Sequence, residues 1–119
     1  MSIIRIQPGS RMSQAVMYGG LVYTSGQVDK TATDVAGQTQ AVLQKIDALL
    51  REAGTNKASV ISAAIWLSDI ETFSAMNDVW DRWVSPDSVP ARATVESRLA
   101  APEYKVEIAV IAVVPEKES

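Results

Sequence analysis

The sequence predicts an α+β sandwich, a mostly antiparallel sheet with two helices on one face. Three observations carry this. Strand-like runs come in groups instead of alternating one-to-one with helices. Only two stretches repeat apolar residues at helical spacing. The length, 119 residues, suits one core and is too short for two. The expected order is β-β-β-α-β-α-β-β, over a single domain spanning residues 1–119.

Ile3 to Ile6 is a short β-branched run closed by the turn signal Pro8-Gly9-Ser10. Val16–Tyr18 and Leu21–Ser25 flank Gly19-Gly20, the pattern of a tight hairpin, and Gly26 breaks the second strand. From Asp34 to Ala53, Val35, Val42, Ile46, Leu49, Leu50 and Ala53 share one helical face, with Thr33 or Asp34 as cap and Gly54 just past the end. Val60–Leu67 reads as a strand. Ser68-Asp69-Ile70-Glu71 has capping-box spacing, announcing a second helix with Phe73, Met76, Trp80 and Trp83 on one face, ended by Ser85-Pro86. Two strands lie between Val89 and Val113, and Pro115–Ser119 is expected to fray.

Composition narrows the chemistry. The net charge is −3 and the eleven basic residues are scattered, which argues against nucleic acid as a partner. There is no histidine and no cysteine, which removes thiol nucleophiles, histidine bases and zinc sites of the common kind. Catalysis would rest on carboxylates, Arg, Lys, Tyr, hydroxyls, backbone groups or water. No stretch reaches the roughly 20 apolar residues of a membrane span, nor does the start read as a signal peptide. The expected compartment is the cytoplasm.

The last strand, "VEIAVIAVV", has almost no polar alternation, so both its faces are expected to be buried, one by helices and one by another copy. Within it stands Glu107, which is either ion-paired with Arg92, Arg98 or Lys105 or orients a water. Arg92, at the entry to the preceding strand, is either a solvated or salt-bridged charge or a rigid grip on a carboxylate. Tyr23-Thr24-Ser25-Gly26-Gln27 is either an ordinary strand end or a ligand edge offering a hydroxyl and N–H groups.

Three segments together, "YTSGQV" at 23–28, "FSAMNDVWDRWV" at 73–84 and "PARATVESRL…KVEIAVIAV" at 90–113, resemble the RidA/YjgF family, most nearly its YoaB-like branch, over nearly the whole chain. The resemblance implies a chorismate-mutase-like fold and a homotrimer whose sheets form a barrel, with a ligand cleft at each subunit interface. It also implies hydrolysis of reactive enamines and imines, such as 2-aminoacrylate, to 2-oxo acids and ammonia, with no metal or organic cofactor. Arg92 matches the family's carboxylate-gripping arginine. Glu107 matches the glutamate associated with the catalytic water, Ser25 the cleft serine, and Asn77 a helix asparagine whose role is functional or structural.

One departure bears on activity. The family carries a Gly-Pro-Tyr segment before the first hairpin, and its Tyr lines the cleft. Here the segment is Arg11-Met12-Ser13, with Met12 at the Tyr position and Arg11 a second cation beside it. Two functions are therefore expected to compete: a 2-imino acid deaminase, and a non-catalytic trimeric binder of small carboxylates such as 2-oxo acids.

Overall fold

The computed structural model describes residues 2–116. A six-stranded sheet runs β1 (Ile4–Pro8), β2 (Ser13–Tyr18), β3 (Leu21–Thr24), β4 (Val60–Leu67), β5 (Ala91–Glu96) and β6 (Val106–Val113) in chain order, with helices α1 (Val35–Ala53) and α2 (Phe73–Trp83). Its spatial order is β1-β2-β3-β6-β4-β5. Only β4 and β5 pair in parallel, joined by the α2 crossover; every other neighbouring pair is antiparallel. Element order and fold class are those the sequence predicts. Of the expected fraying tail, residues 117–119 lie outside the described residues.

The local signals act largely as read. Gly19 and Gly20 both have positive φ, 62° and 82°, as a two-residue primed turn requires. Asp34 caps α1 by accepting from the Gly37 N–H. Gly54, at φ 89°, ends the helix. Its N–H reaches Arg51 O at 3.0 Å and the Thr55 N–H reaches Leu50 O at 2.9 Å, a Schellman closure.

Three expectations need correction. Strands β1 and β2 run further toward their shared turn than the expected Ile3–Ile6 and Val16–Tyr18, because Pro8 pairs with Ser13. Ser68 does not cap the second helix: Asp69 accepts from the Glu71 N–H at 2.9 Å and caps a 3₁₀ turn, Ile70–Thr72, that leads into α2. On α2 the buried positions are Met76, Val79 and Trp80, whereas Phe73 is exposed and Trp83 half-buried, its Nε1 donating to Asp47.

The core lies between the helices and one sheet face, where Val22, Ala63, Ile65, Leu67, Val106, Ile108, Val110 and Ala112 meet Val42, Leu43, Ile46, Leu50, Met76 and Trp80. The other face is open. Along β6, buried residues alternate with the partly exposed Glu107, Ala109, Ile111 and Val113, so within one chain the last strand is covered on one side only. Among the described residues no helix is long and apolar enough to cross a membrane.

Candidate functional site

The site is built around an irregularity between β3 and β6. Tyr23 pairs with Ile111, and the next pairing is Gln27 with Ile108. Three residues, Thr24, Ser25 and Gly26, thus face two, Val110 and Ala109, which makes a β-bulge. The ladder is repaired from within. The Thr24 hydroxyl accepts from the Val110 N–H at 3.0 Å. Gln27 closes the far side, donating to Ile108 O at 2.8 Å and accepting from the Ile108 N–H at 3.2 Å.

The bulge sets Gly26 against Glu107. A Cβ on Gly26 would lie 2.7 Å from Glu107 Cδ and collide with its Oε2. The half-buried carboxylate therefore occupies the space a side chain would take at residue 26, beside Ser25. The Ser25 N–H donates to Gln14 O at 2.9 Å and its hydroxyl to the same oxygen at 3.3 Å. Met12, 53% exposed, and the exposed Arg11 lie in the turn just before β2, the strand that carries Gln14. Glu107 and Ser25 thus border Gly26, and Met12 and Arg11 precede the strand to which Ser25 is bonded.

Arg92 lies on another strand, β5. Its guanidinium lies 5.2 Å from the Trp80 ring centroid and 5.8 Å from that of Phe73, a cation on an aromatic platform. Asn77 sits between those two residues on α2, four after Phe73 and three before Trp80, on the same stripe. Thr94 follows Arg92 on the same strand face, and its buried hydroxyl has no hydrogen-bond partner among the described residues. Such a group normally finds one.

The two groups occupy opposite faces. Arg92 pairs across the sheet with Ala63, whose side chain belongs to the core. Glu107 pairs with Trp66, on the open face. Two strand spacings and three residues along the strands put their Cα atoms roughly 14 Å apart. Neither makes an ion pair within the described residues, where the ion pair found is Lys45 to Asp29, at 3.1 Å. The expected alternative, pairing of Glu107 with Arg92, Arg98 or Lys105, is not formed.

Asp29 has a carboxyl that its neighbours shift clearly. Hydrogen bonds from the Thr31 hydroxyl and N–H, then the Lys45 ammonium, hold it down at about 2. It lies outside both halves of the site. A separate recess of about 770 Å³ lies beneath the β5–β6 loop, lined by residues that include Arg98 and Tyr104. It contains none of the predicted site residues.

Sequence reading missed Thr94 and the ring platform under Arg92. The alternation that puts residues 92 and 94 on one strand face was available. That the Thr94 hydroxyl lacks a partner was not, because burial and hydrogen bonding of that group are set only in the folded chain.

The fold and site define a small α+β domain with a charged bulge on an open sheet and an arginine at its edge strand. The family profile described as Endoribonuclease L-PSP matches residues 3–114, and the chain belongs to that family, the RidA/YjgF group the sequence resembles. A RutC family protein from Haemophilus influenzae is 42% identical over 114 residues, covering 94% of this chain and 98% of its own. The RutC family protein YoaB of Escherichia coli is 40% identical, covering 96% and 100%. Among solved structures, a YjgF family member from Neisseria meningitidis superposes with a TM-score of 0.96 at 44% identity, covering 98% of each chain. A Rid family protein of unknown function from Yersinia pestis gives 0.85 at 34% identity, covering 95% of this chain and 98% of its own.

Proposed function

We propose that the protein is a cytoplasmic homotrimer that hydrolyses reactive 2-imino and 2-enamino acids, such as 2-iminopropionate and 2-aminoacrylate, to 2-oxo acids and ammonia without a cofactor. The observation that carries this reading is Arg92. It is braced on Phe73 and Trp80, meets no carboxylate among the described residues, and is followed by an unpartnered buried hydroxyl. A guanidinium so fixed is suited to grip a planar carboxylate with two parallel hydrogen bonds.

Because Arg92 and Glu107 lie on opposite sheet faces, the second half of each site comes from a neighbouring copy. Glu107 of that copy orients a water against the C=N carbon. The water oxygen adds to carbon, and its proton passes by way of the carboxylate to nitrogen. The resulting carbinolamine loses ammonia as its hydroxyl gives up its hydrogen, leaving the 2-oxo acid. Such imines already hydrolyse in water, so orientation and general acid–base help of about 10²–10⁴-fold suffice.

A specific observation favours a second reading. At the position where the family's cleft carries a phenol, this chain presents Met12, 53% exposed, which would suit a trimeric carboxylate binder without catalysis. Against the ribonuclease of the family description stand the net charge of −3 and the lack of histidine.

The test is the decay of 2-iminopropionate generated in situ by an amino-acid oxidase, with surviving imine trapped by semicarbazide. Acceleration by wild type that disappears in Arg92→Ala is the expected result. Pyruvate binding without acceleration would favour the binder, and neither effect would defeat both readings.

A further inference from the structure

We infer that Gln27 is a positioning residue that turns the Ser25 hydroxyl into a hydrogen-bond donor toward the ligand. This rests on the site proposed above. Gln27 is 7% exposed, and both its backbone N–H and its C=O are bonded to Ile108 at the far end of the bulge. Its Nε2 lies 3.1 Å from Ser25 Oγ, 3.2 Å from Ser25 O and 3.1 Å from Gln14 Oε1.

An amide nitrogen carries two hydrogens and no available lone pair; with one hydrogen on Gln14 Oε1, the other is shared between Ser25 O and Ser25 Oγ, and at Oγ the amide can only donate. The serine oxygen accepts there and keeps its own hydrogen to give. Among the described residues that hydrogen has one partner, Gln14 O, at 3.3 Å. The same carbonyl already accepts the Ser25 N–H at 2.9 Å. A long bond to a shared acceptor costs little to exchange for a ligand atom.

The acceptor offered by this substrate class is the imine nitrogen lone pair, or the keto oxygen of the 2-oxo acid product. Donation to either draws electrons from the carbon that water attacks. Ser25 then acts by polarising that bond. Gln27, an amide, cannot take a proton from it, so the pair is not built as a nucleophile with its base.

The plainer role, a buried glutamine that only braces the bulge, is separated by isosteric change. Gln27→Glu keeps the shape, but its ionised carboxylate can only accept and would turn the serine hydrogen inward. The charged side chains around it are Lys45, which lines a cavity of about 300 Å³ with Gln14 and Gln27, its partner Asp29, and Glu107 across Gly26. Wild type is therefore run at every pH alongside.

Two measurements on the full chain decide the matter. In protein labelled with ¹⁵N-glutamine, the Gln27 side-chain amide, assigned with Gln27→Met, is expected to shift and to exchange its hydrogens faster in Ser25→Ala. An unchanged signal would overturn the inference. The second is the Kd of pyruvate, used as probe, from neutral pH to below the ordinary glutamate range. Gln27→Glu is expected to weaken binding about tenfold at neutral pH, the loss of one good hydrogen bond, and to regain it on acidification as the new carboxyl gains a proton to donate. Gln27→Met should be weak throughout. Wild-type affinity in Gln27→Glu, or a loss independent of pH in a folded variant, would overturn the inference. If wild type neither binds pyruvate nor hydrolyses the imine, the proposed function fails, and the amide measurement alone decides how Ser25 is held.

Discussion

Gly26 holds the tightest constraint in the candidate site. Its φ is ordinary, and what demands glycine is space, since Glu107 fills the place of a Cβ. Gly26→Ala is expected to displace that carboxylate and lower imine hydrolysis by about 10²-fold, the lower end of what general acid–base help supplies. Overpacking should cost about 1–3 kcal/mol of stability. Steady-state kinetics beside denaturant melts would check both. Asp29 supplies a residue-scale prediction about pH. Its folded carboxyl is held at about 2, below its unfolded value, so its contribution is complete above the ordinary aspartate range and is lost as pH falls toward 2. Asp29→Asn should therefore melt below wild type at neutral pH, with the gap narrowing in acid. A gap that stays constant with pH would refute this. At this scale much was legible: a charge inside an apolar strand singled out Glu107, and the Pro-Ala-Arg entry singled out Arg92. That they lie on opposite faces was not, because it takes the register of β5 and β6 against β4 to show it.

At the scale of elements, the bulge between β3 and β6 makes the site. Thr24 was legible only as a strand residue near a break. Its role follows from contact with Val110, 86 positions along the chain, which no local pattern contains. Thr24→Val keeps the β-branched shape and removes the acceptor, leaving the Val110 N–H buried and unpaired. The expected cost is about 1–3 kcal/mol, read from equilibrium unfolding, and Thr24→Ser should recover most of it. A neutral Thr24→Val would mean that the hydroxyl does not complete the ladder. The helices were easier to read, because caps and the 3.6-residue stripe are local. At the start of α2 one residue of difference, Asp69 for Ser68, changed which donor was capped, and a 3₁₀ turn took the place of a clean helix start.

For the whole molecule, the apolar last strand posed the question of what covers its second face. Among the described residues of one chain nothing does, and Tyr23, Ile61, Val95 and Val113 remain 39–49% exposed on or beside the open face. A strand without polar alternation implies burial on both sides. That holds for one chain only when a second layer is present, and the chain supplies one helical layer. Light scattering is expected to give three times the 12.8 kDa chain mass, and a monomer at micromolar concentration would remove the second half of every site.

The most direct test of the divided site mixes two inactive proteins. Arg92→Ala and Glu107→Gln, unfolded together and refolded in equal amounts, should regain imine hydrolysis although neither variant has it alone. Random assortment in a symmetric trimer restores about a quarter of the sites, each with Arg92 from one copy and Glu107 from its neighbour. Recovery to about that level is the predicted result. Hybrids no more active than the separate variants, in a mixture shown to exchange subunits, would contradict it.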